Sequence, residues 1–445
     1  MASLLFRTFL LQSIFQLLRM VGDEPDEATG ERMQWRTTKR SSGFKESSSR
    51  DTEEEDEEEQ EESNAEAPPD KQDLDRIYAR RVQWPVQKLA FRCQLVMELV
   101  SNILGVFHGA LSDCFSPVLQ PAIGVGSAFE GWSPRDDEDV VYHLLVPLKP
   151  PLGHTFHLEL GTTGEIPAKD SRVRVELACT CTTGSPGEDT LCFLHNPKKQ
   201  LRSNKAASFL GTLCTSSYLD VQKTAQWFQS KVKTAWLLLP QSRCYDMKVL
   251  PSSRSCKLQL KNASERTLMV ELLFGVQQGD SDIFLSSQTP DAAFTPSTTW
   301  PQSYAVAEAK FFRHMTSQAP HGRFPLRCLH LCTRILAGTG FSTSALKTIV
   351  MHLLITTPLS GWCAKDFLLR LDNIMHYLRQ CLETKRLNHF FVGNENVPKE
   401  IALPPALQTA EPVNLFQHLA QDQATHDEPL RPLQDRLTRL LFYGI

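Results

Sequence analysis

The sequence predicts an α+β protein in which one long helix leads into mixed strands and a helical part follows. Residues 86–107 place apolar side chains at helical spacing. Runs of alternating or continuous apolar residues, typical of strands, lie between positions 140 and 276. Beyond Trp300 the spacing is helical again. Of the 445 residues, 41% are apolar, which is enough to bury a large core over two or three domains.

The N-terminal residues 2–20 form an apolar segment rich in leucine and phenylalanine, interrupted by Arg7, Gln12 and Gln16. A membrane-spanning helix needs about 20 mainly apolar residues, so this segment is marginal in length. We expect residues 1–20 to be membrane-associated. A signal anchor, a cleaved signal peptide, an interfacial helix and a frayed amphipathic helix remain alternatives.

Residues 21–75 predict an acidic, disordered linker. Ten of the twelve residues in 51–62 are acidic, and such a tract repels itself and has no apolar surface to bury. The linker carries a net charge of about −13, which leaves about +9 for the rest of the chain. A basic folded part favours phosphorylated ligands or an anionic membrane face, although an ordinary solvated surface is the simpler interpretation.

The first predicted helix covers residues 86–107, with Pro85 suited to its first turn. A second helix is expected over residues 217–239, where Trp227, Phe228 and Trp236 are apolar. The predicted strands are residues 140–148, residues 154–160, a run that begins at Val173, and two strands within 256–276 joined by a polar turn.

After Trp300 the apolar spacing predicts a series of helices, of which residues 364–384 give the clearest pattern. The others are expected at residues 304–316, 325–337, 343–355 and 431–442. We therefore expect one domain over residues 76–300, with the sheet, and a helical domain over residues 301–445.

A small-residue turn followed by acidic residues is the main candidate site. Gly126 and Ser127 form a turn that would open a helix and offer backbone N–H groups to a phosphate. Asp137 and Asp139 stand at the head of an apolar strand, where alternation points both side chains to one side. Two carboxylates on one face can hold Mg²⁺, although the simpler alternative is an acidic turn that faces water.

Glu271 is the candidate for a third acid. It lies within the apolar run TLMVELLFGV, where a buried carboxylate is costly unless it is paired or bound to a metal. A third carboxylate from a neighbouring strand would complete a two-metal site for phosphoryl transfer.

These residues carry a resemblance to a known fold. The Gly126–Ser127 turn, a gap of nine residues and an acid-x-acid-apolar run resemble the nucleotidyltransferase signature. The stretches DDEDVVYHLLVP and VELLFGV are similar to strands of cyclic GMP-AMP synthase and the male-abnormal-21 family. On this resemblance Gly126 and Ser127 match the phosphate-binding turn, Asp137 and Asp139 match the first metal-binding pair, and Glu271 matches the third acid.

A closer resemblance extends over roughly residues 75–445. Four stretches resemble the inositol trisphosphate receptor-interacting protein family, with the like-1 branch the most similar; they are residues 123–132, 219–229, 346–362 and 387–419. The resemblance implies a nucleotidyltransferase-like mixed sheet lobe, a helical C-terminal lobe and a single-pass membrane attachment. It suggests a protein partner, with a membrane receptor as the family's namesake, and it predicts no nucleic-acid partner.

The resemblance implies no enzymatic reaction, and the sequence departs from the catalytic signature. Glu138 stands between the two aspartates where an apolar residue is expected, and Glu271 is one methylene longer than the usual aspartate. Because a small displacement can disable a metal site, we expect a non-catalytic binding protein. The alternatives are a Mg²⁺-dependent nucleotidyltransferase and a sensor of phosphorylated ligands, both of which would use the Asp137/Asp139/Glu271 cleft.

Other candidate motifs have simpler structural explanations. Cys328 and Cys332 are spaced i, i+4 on a predicted helix and are interpreted as core residues rather than metal ligands. The group Cys179, Cys181, Cys192 and His195 lacks paired zinc-site spacing and is interpreted as strand-edge residues. A glycosylation sequon begins at Asn262 and would matter only if the domain lies outside the cell.

Overall fold

A computed structural model describes residues 84–109, 116–133, 140–161, 170–179, 209–289, 294–319, 324–336 and 342–417. The predicted membrane segment, the acidic linker, Asp137 and Asp139, and the predicted helix 431–442 lie outside these residues. Mixed sheets and helices make up the described chain, and the predicted α+β class is confirmed.

The elements of the first lobe follow the predicted order. The helices are α1 (Trp84–Gly109), α2 (Gly126–Glu130), α3 (Phe209–Leu213) and α4 (Val221–Leu237). The strands are β1 (Val118–Leu119), β2 (Ile123–Val125), β3 (Val141–Lys149), β4 (His154–Glu159), β5 (Arg172–Leu177), β6 (Cys214–Thr215), β7 (Tyr218–Leu219), β8 (Tyr245–Leu250), β9 (Cys256–Asn262), β10 (Thr267–Gln277), β11 (Phe284–Ser286) and β12 (Gln302–Ser303).

The second lobe is helical, as the spacing predicted. Its helices are α5 (Ala305–Gln318), α6 (Phe324–Ile335), α7 (Thr343–Thr356), α8 (Phe367–Glu383) and α9 (Pro405–Gln408). The predicted helix 364–384 is shorter than expected at its start, because a separate 3₁₀ turn occupies Ala364–Asp366.

Strand β10 is the centre of the main sheet. It pairs with β3 in parallel over seven residues and with β9 and β11 antiparallel. Strand β3 in turn pairs with β1 and β2, and β8 pairs with β9. A smaller antiparallel sheet has the order β4-β5-β7-β6.

Alternation along β3 and β10 gives the main sheet one fully packed face. The even-numbered side chains of β3 and β10 join a core that we call the sheet-lobe core; they are Tyr142, Leu144, Val146, Leu148, Val270, Leu272, Phe274 and Val276. Helices α1 and α4 cover this face. The odd-numbered side chains point the other way, where Leu145 and Leu273 join a small separate cluster.

Helix α1 is the one described segment with the length and apolar content of a membrane span. Its residues Val96, Val100 and Ile103 are fully buried in the sheet-lobe core. This packing accounts for the apolar content of α1 and agrees with the predicted core-facing helix.

Helix α4 begins four residues later than the pattern predicted. Tyr218 and Leu219 pair in the small sheet, and the Asp220 carboxylate accepts hydrogen bonds from the backbone N–H groups of Gln222 and Lys223. Such an N-cap satisfies amides that the helix itself cannot pair and so fixes the start of the helix.

A C-terminal strap crosses the helical lobe, and its sequence belongs to one of the motifs that carry the family resemblance. The strap comprises residues 387–417. It doubles back on itself, with the N–H of His389 donating to the carbonyl of Val413 at 2.7 Å. Phe390 and Phe391 of the strap are buried in the helical-lobe core, the cluster formed by α5–α8.

The contact between the two long helices predicts a large stability cost for one aromatic side chain. Phe228 of α4 is fully buried and stacks on Phe107 of α1, with ring centroids 4.9 Å apart. We expect Phe228→Ala to lower the free energy of unfolding by about 3–5 kcal/mol, measured by urea denaturation of the full chain. The matched control is Phe294→Ala, whose side chain is 91% exposed, with an expected change within about 0.5 kcal/mol. Equal effects of the two variants would contradict the assignment of this core.

Candidate functional site

The turn at Gly126 is built by two glycines with different requirements. A side chain at Gly124 would place its Cβ 2.2 Å from the ring of Phe129. Gly126 has a φ of +77°, in the left-handed region that favours glycine. A Cβ on Gly126 would lie 3.7 Å from Nδ1 of His143. The Gly126–Ser127 turn therefore opens α2 beside His143, and its role in phosphate binding stays a prediction.

Glu271 lies on the odd-numbered face of β10, opposite the sheet-lobe core. His143 is its neighbour on β3 and Lys257 is its neighbour on β9. The carboxylate accepts a hydrogen bond of 2.6 Å from the Ser255 hydroxyl, and it lies 3.4 Å from Nε2 of His143 and 3.7 Å from Nζ of Lys257. The third predicted acid is thus held by side chains of its own chain.

These contacts keep Glu271 charged in spite of its burial, with only 15% of the side chain exposed. Burial alone would raise its pKa, but hydrogen bonds from His143 and Ser255 and the charge of Lys257 together lower the pKa below its usual range. A carboxylate stabilised in this way is a fixed negative charge in the sheet face.

The other two predicted acids are not brought together with Glu271 by any described contact, because Asp137 and Asp139 lie outside the described residues. The residue of β3 beside Glu271 is His143, four positions after Asp139. The metal site of three carboxylates therefore stays a prediction. In the described part of the chain, no group of three or more His, Cys, Asp or Glu residues is arranged to hold a metal ion.

The sequence interpretation did not single out His143, Ser255 or Lys257. The sequence could have indicated His143, because it is the polar residue of the apolar run VVYHLLVP. Side chains alternate along a strand, so His143 is expected on the same face as Asp139. Lys257 alternates with the core residues Cys256, Leu258 and Leu260. Ser255 could not be found this way, since it lies before β9 and only the fold brings it to Glu271.

A buried ionic cluster joins helix α2 to the helical lobe. The ammonium group of Lys347 on α7 donates to Glu130 at the end of α2, at 3.0 and 3.3 Å, and also to Glu308 on α5. Trp132 Nε1 donates to the same Glu130 carboxylate at 2.6 Å. Burial by itself lowers the pKa of Lys347, but the two carboxylates outweigh it and raise the pKa. The charged lysine thus connects the site turn to two helices of the second lobe.

The remaining candidates have structural roles or are not described. Cys328 and Cys332 are fully buried in α6, and burial raises the pKa of Cys332 to about 12, as expected of inert core thiols. Cys179 is exposed near the end of β5, whereas Cys181, Cys192 and His195 lie outside the described residues. Asn262 ends β9 at the turn into β10.

Comparison with known proteins identifies the family. Over 384 residues the chain is 32% identical to inositol 1,4,5-trisphosphate receptor-interacting protein-like 1 of Rattus norvegicus, and the match covers 84% of this chain and 70% of the relative. The chain belongs to the inositol 1,4,5-trisphosphate receptor-interacting protein family. The resemblance predicted from the four sequence stretches is confirmed.

Other relatives of the family agree with this assignment. The Mus musculus like-1 protein is 32% identical over 385 residues, covering 84% of this chain and 70% of the relative. The Homo sapiens inositol 1,4,5-trisphosphate receptor-interacting protein is 29% identical over 392 residues, covering 83% of this chain and 71% of the relative. Residues 332–426 match the Mab-21 protein HhH/H2TH-like domain, a region that includes α7, α8 and the strap.

The ionic cluster predicts a strong effect for Lys347→Met. The substitution leaves Glu130 and Glu308 facing each other without a cation, so we expect a loss of about 3–5 kcal/mol in the free energy of unfolding, measured by chemical denaturation. The matched control is Lys310→Met, which removes a half-exposed ion pair with Asp282 and should cost less than about 1 kcal/mol. Adding Glu130→Gln and Glu308→Gln to Lys347→Met should restore part of the loss; a triple variant as unstable as the single one would exclude the electrostatic explanation.

The lowered pKa of Glu271 predicts a specific dependence of stability on pH. Its stabilising contribution is complete above the unfolded-state pKa of a glutamate, about 4.3, and is lost as the pH falls through the lower folded-state value. Glu271→Gln should therefore lose less stability than the unaltered chain when the free energy of unfolding is measured from about pH 6 to about pH 3. Glu265→Gln, which breaks only an exposed pair with Lys261, is the control, and parallel profiles for Glu271→Gln and the unaltered chain would refute the electrostatic account.

Proposed function

We propose that this chain is a membrane-associated binding protein whose nucleotidyltransferase-like lobe recognises a protein partner without catalysing a reaction. The observation that carries the proposal is the state of Glu271. Its carboxylate is engaged by Ser255, His143 and Lys257, and its neighbour in register on β3 is His143 and not one of the two predicted aspartates.

The sequence around the aspartates also favours binding over catalysis. Glu138 stands between Asp137 and Asp139 where the nucleotidyltransferase signature has an apolar residue, and Glu271 is one methylene longer than the usual aspartate. Because a small displacement can disable a metal site, these departures support a site that no longer transfers phosphoryl groups.

The partner is inferred from the relatives. Their names describe them as interacting with the inositol 1,4,5-trisphosphate receptor, and we extend that kind of partner, a membrane receptor, to this chain. Membrane association is assigned to residues 2–20, because the apolar side of α1 is occupied by the sheet-lobe core.

A sensor of phosphorylated ligands is the second candidate. The Gly126–Ser127 turn opens α2 beside His143, and Lys257 lies 3.7 Å from the Glu271 carboxylate. Backbone N–H groups at the start of a helix can bind a phosphate, and a lysine on the same sheet adds positive charge. A Mg²⁺-dependent nucleotidyltransferase is the third candidate function. One assay distinguishes the three candidate functions.

The assay incubates the purified full chain with ATP or GTP and with Mg²⁺ or Mn²⁺, and measures both nucleotide binding and product. We expect no product above the level of an Asp139→Ala/Glu271→Gln variant, together with saturable binding of purified inositol 1,4,5-trisphosphate receptor that the variant retains. Product that disappears in the variant would establish catalysis and overturn the proposal. Nucleotide binding without product, weakened by Lys257→Gln but not by the exposed Lys261→Gln, would favour the sensor.

A further inference from the structure

We propose that one end of the α1/α4 helix layer lies against the surface of an anionic membrane. This inference rests on the membrane association proposed above and adds which surface of the folded part makes the contact. The surface, which we call the layer tip, consists of the start of α1 and the end of α4 with the turn that follows it.

The layer tip exposes large apolar side chains. Leu237 and Leu238 at the end of α4 are 78% and 59% exposed, and Phe91 near the start of α1 is 68% exposed. Isolated apolar residues on a surface are common, but Leu237 and Leu238 are adjacent in the chain, and grouped exposed apolar side chains mark an interaction site. Leucine and phenylalanine are the residues that peripheral helices insert into the boundary between headgroups and acyl chains.

The contacts of the two helices place these side chains at the same end. Phe107, near the end of α1, stacks on Phe228 in the first half of α4. Cys93, near the start of α1, donates its thiol to the carbonyl of Ala128 in α2, which follows the strand beside His143. Further along α4, Lys233 lies close enough to Cys256 of β9 for its charge to act on the pKa of that thiol. Cys256 pairs with Leu272 of β10.

Helix α1 therefore starts at one edge of the sheet and runs away from it, whereas α4 runs towards that edge and ends there. They run antiparallel, and the start of α1 and the end of α4 lie at the same edge of the sheet. The described chain also begins at this edge, since α1 starts at Trp84.

The charge of the layer tip is complementary to an anionic leaflet. The second half of α4 contains Lys231 and Lys233 and no acidic residue, and Arg243 follows in the exposed turn. Near the start of α1 lie Lys88 and Arg92, and the one acidic residue of α1 is Glu98. Basic residues close to an anionic leaflet are attracted to it individually, and apolar side chains between them add a hydrophobic contribution.

The contact can be measured apart from the tether. The full chain is reconstituted into vesicles of phosphatidylcholine alone or mixed with phosphatidylserine, flotation reports attachment, and hydrogen exchange reports protection of residues 226–243. We expect attachment to both vesicles but at least about tenfold slower exchange of this segment with phosphatidylserine. High salt should remove the difference, because the attraction is electrostatic.

Two variants with matched exposure test the assignment. Leu237→Ser/Leu238→Ser and Lys233→Gln/Arg243→Gln should each stay attached through residues 2–20 and lose the lipid-dependent protection. Leu152→Ser, which alters an exposed leucine at the β3–β4 turn, should keep it. Retained melting temperatures show that the exposed substitutions leave the fold intact.

Each remaining outcome decides against the inference. Attachment without protection of residues 226–243 would overturn the layer-tip contact and leave membrane association standing, whereas failure to float would overturn membrane association itself. Protection that depends on protein concentration and not on phosphatidylserine would assign the exposed leucines to contact with a second copy of the chain and exclude the membrane surface.

Discussion

The parallel pairing of β3 with β10 is the constraint on which the rest of the structure depends. It sets seven residues of each strand side by side, and alternation then sorts their side chains by parity. Every even-numbered position from Tyr142 to Leu148 enters the sheet-lobe core, whereas His143 and Glu271 meet on the other face. A shift of register by one residue would move polar side chains such as Glu271 into the core and expose apolar ones, so the hydrophobic pattern fixes the register.

The second constraint is the joint between the lobes. A five-residue helix such as α2 gains little stability from its own hydrogen bonds, and here it is held by Glu130, whose carboxylate is shared by Lys347 and Trp132. Because Glu130 lies three residues after Ser127, the glycine turn and the helical lobe are mechanically linked. Breaking a buried ion pair of this kind is costly even where the pair adds little net stability, so the pair holds α2 against α5 and α7.

A carboxylate that is satisfied within its own chain has consequences for function. The negative charge of Glu271 is compensated by three side chains of its own chain, Ser255, His143 and Lys257. A fold of this kind hosts unrelated functions, and the residues of the site, rather than the architecture, decide between binding and catalysis. The proposal of a protein that recognises a partner at a membrane rests on three observations. They are the family membership, the contacts of Glu271 and the basic side chains of the layer tip.

The sequence by itself determined the elements, because the periods of about 3.6 and 2 residues reflect which side of a helix or strand is buried, and burial dominates local stability. The bounds of α1, β3 and α7 differ from the predictions by one or two residues. It also determined the family, because long stretches such as residues 387–419 resemble it and the comparison with relatives agrees. Only the tertiary structure decided what surrounds Glu271: Ser255 reaches it from outside the strands, and His143 and Lys257 become its neighbours through pairing across strands far apart in the chain. The cluster of Glu130, Lys347 and Glu308 has the same origin, because Glu130 and Lys347 are 217 positions apart and no local pattern in the sequence relates charges at that separation.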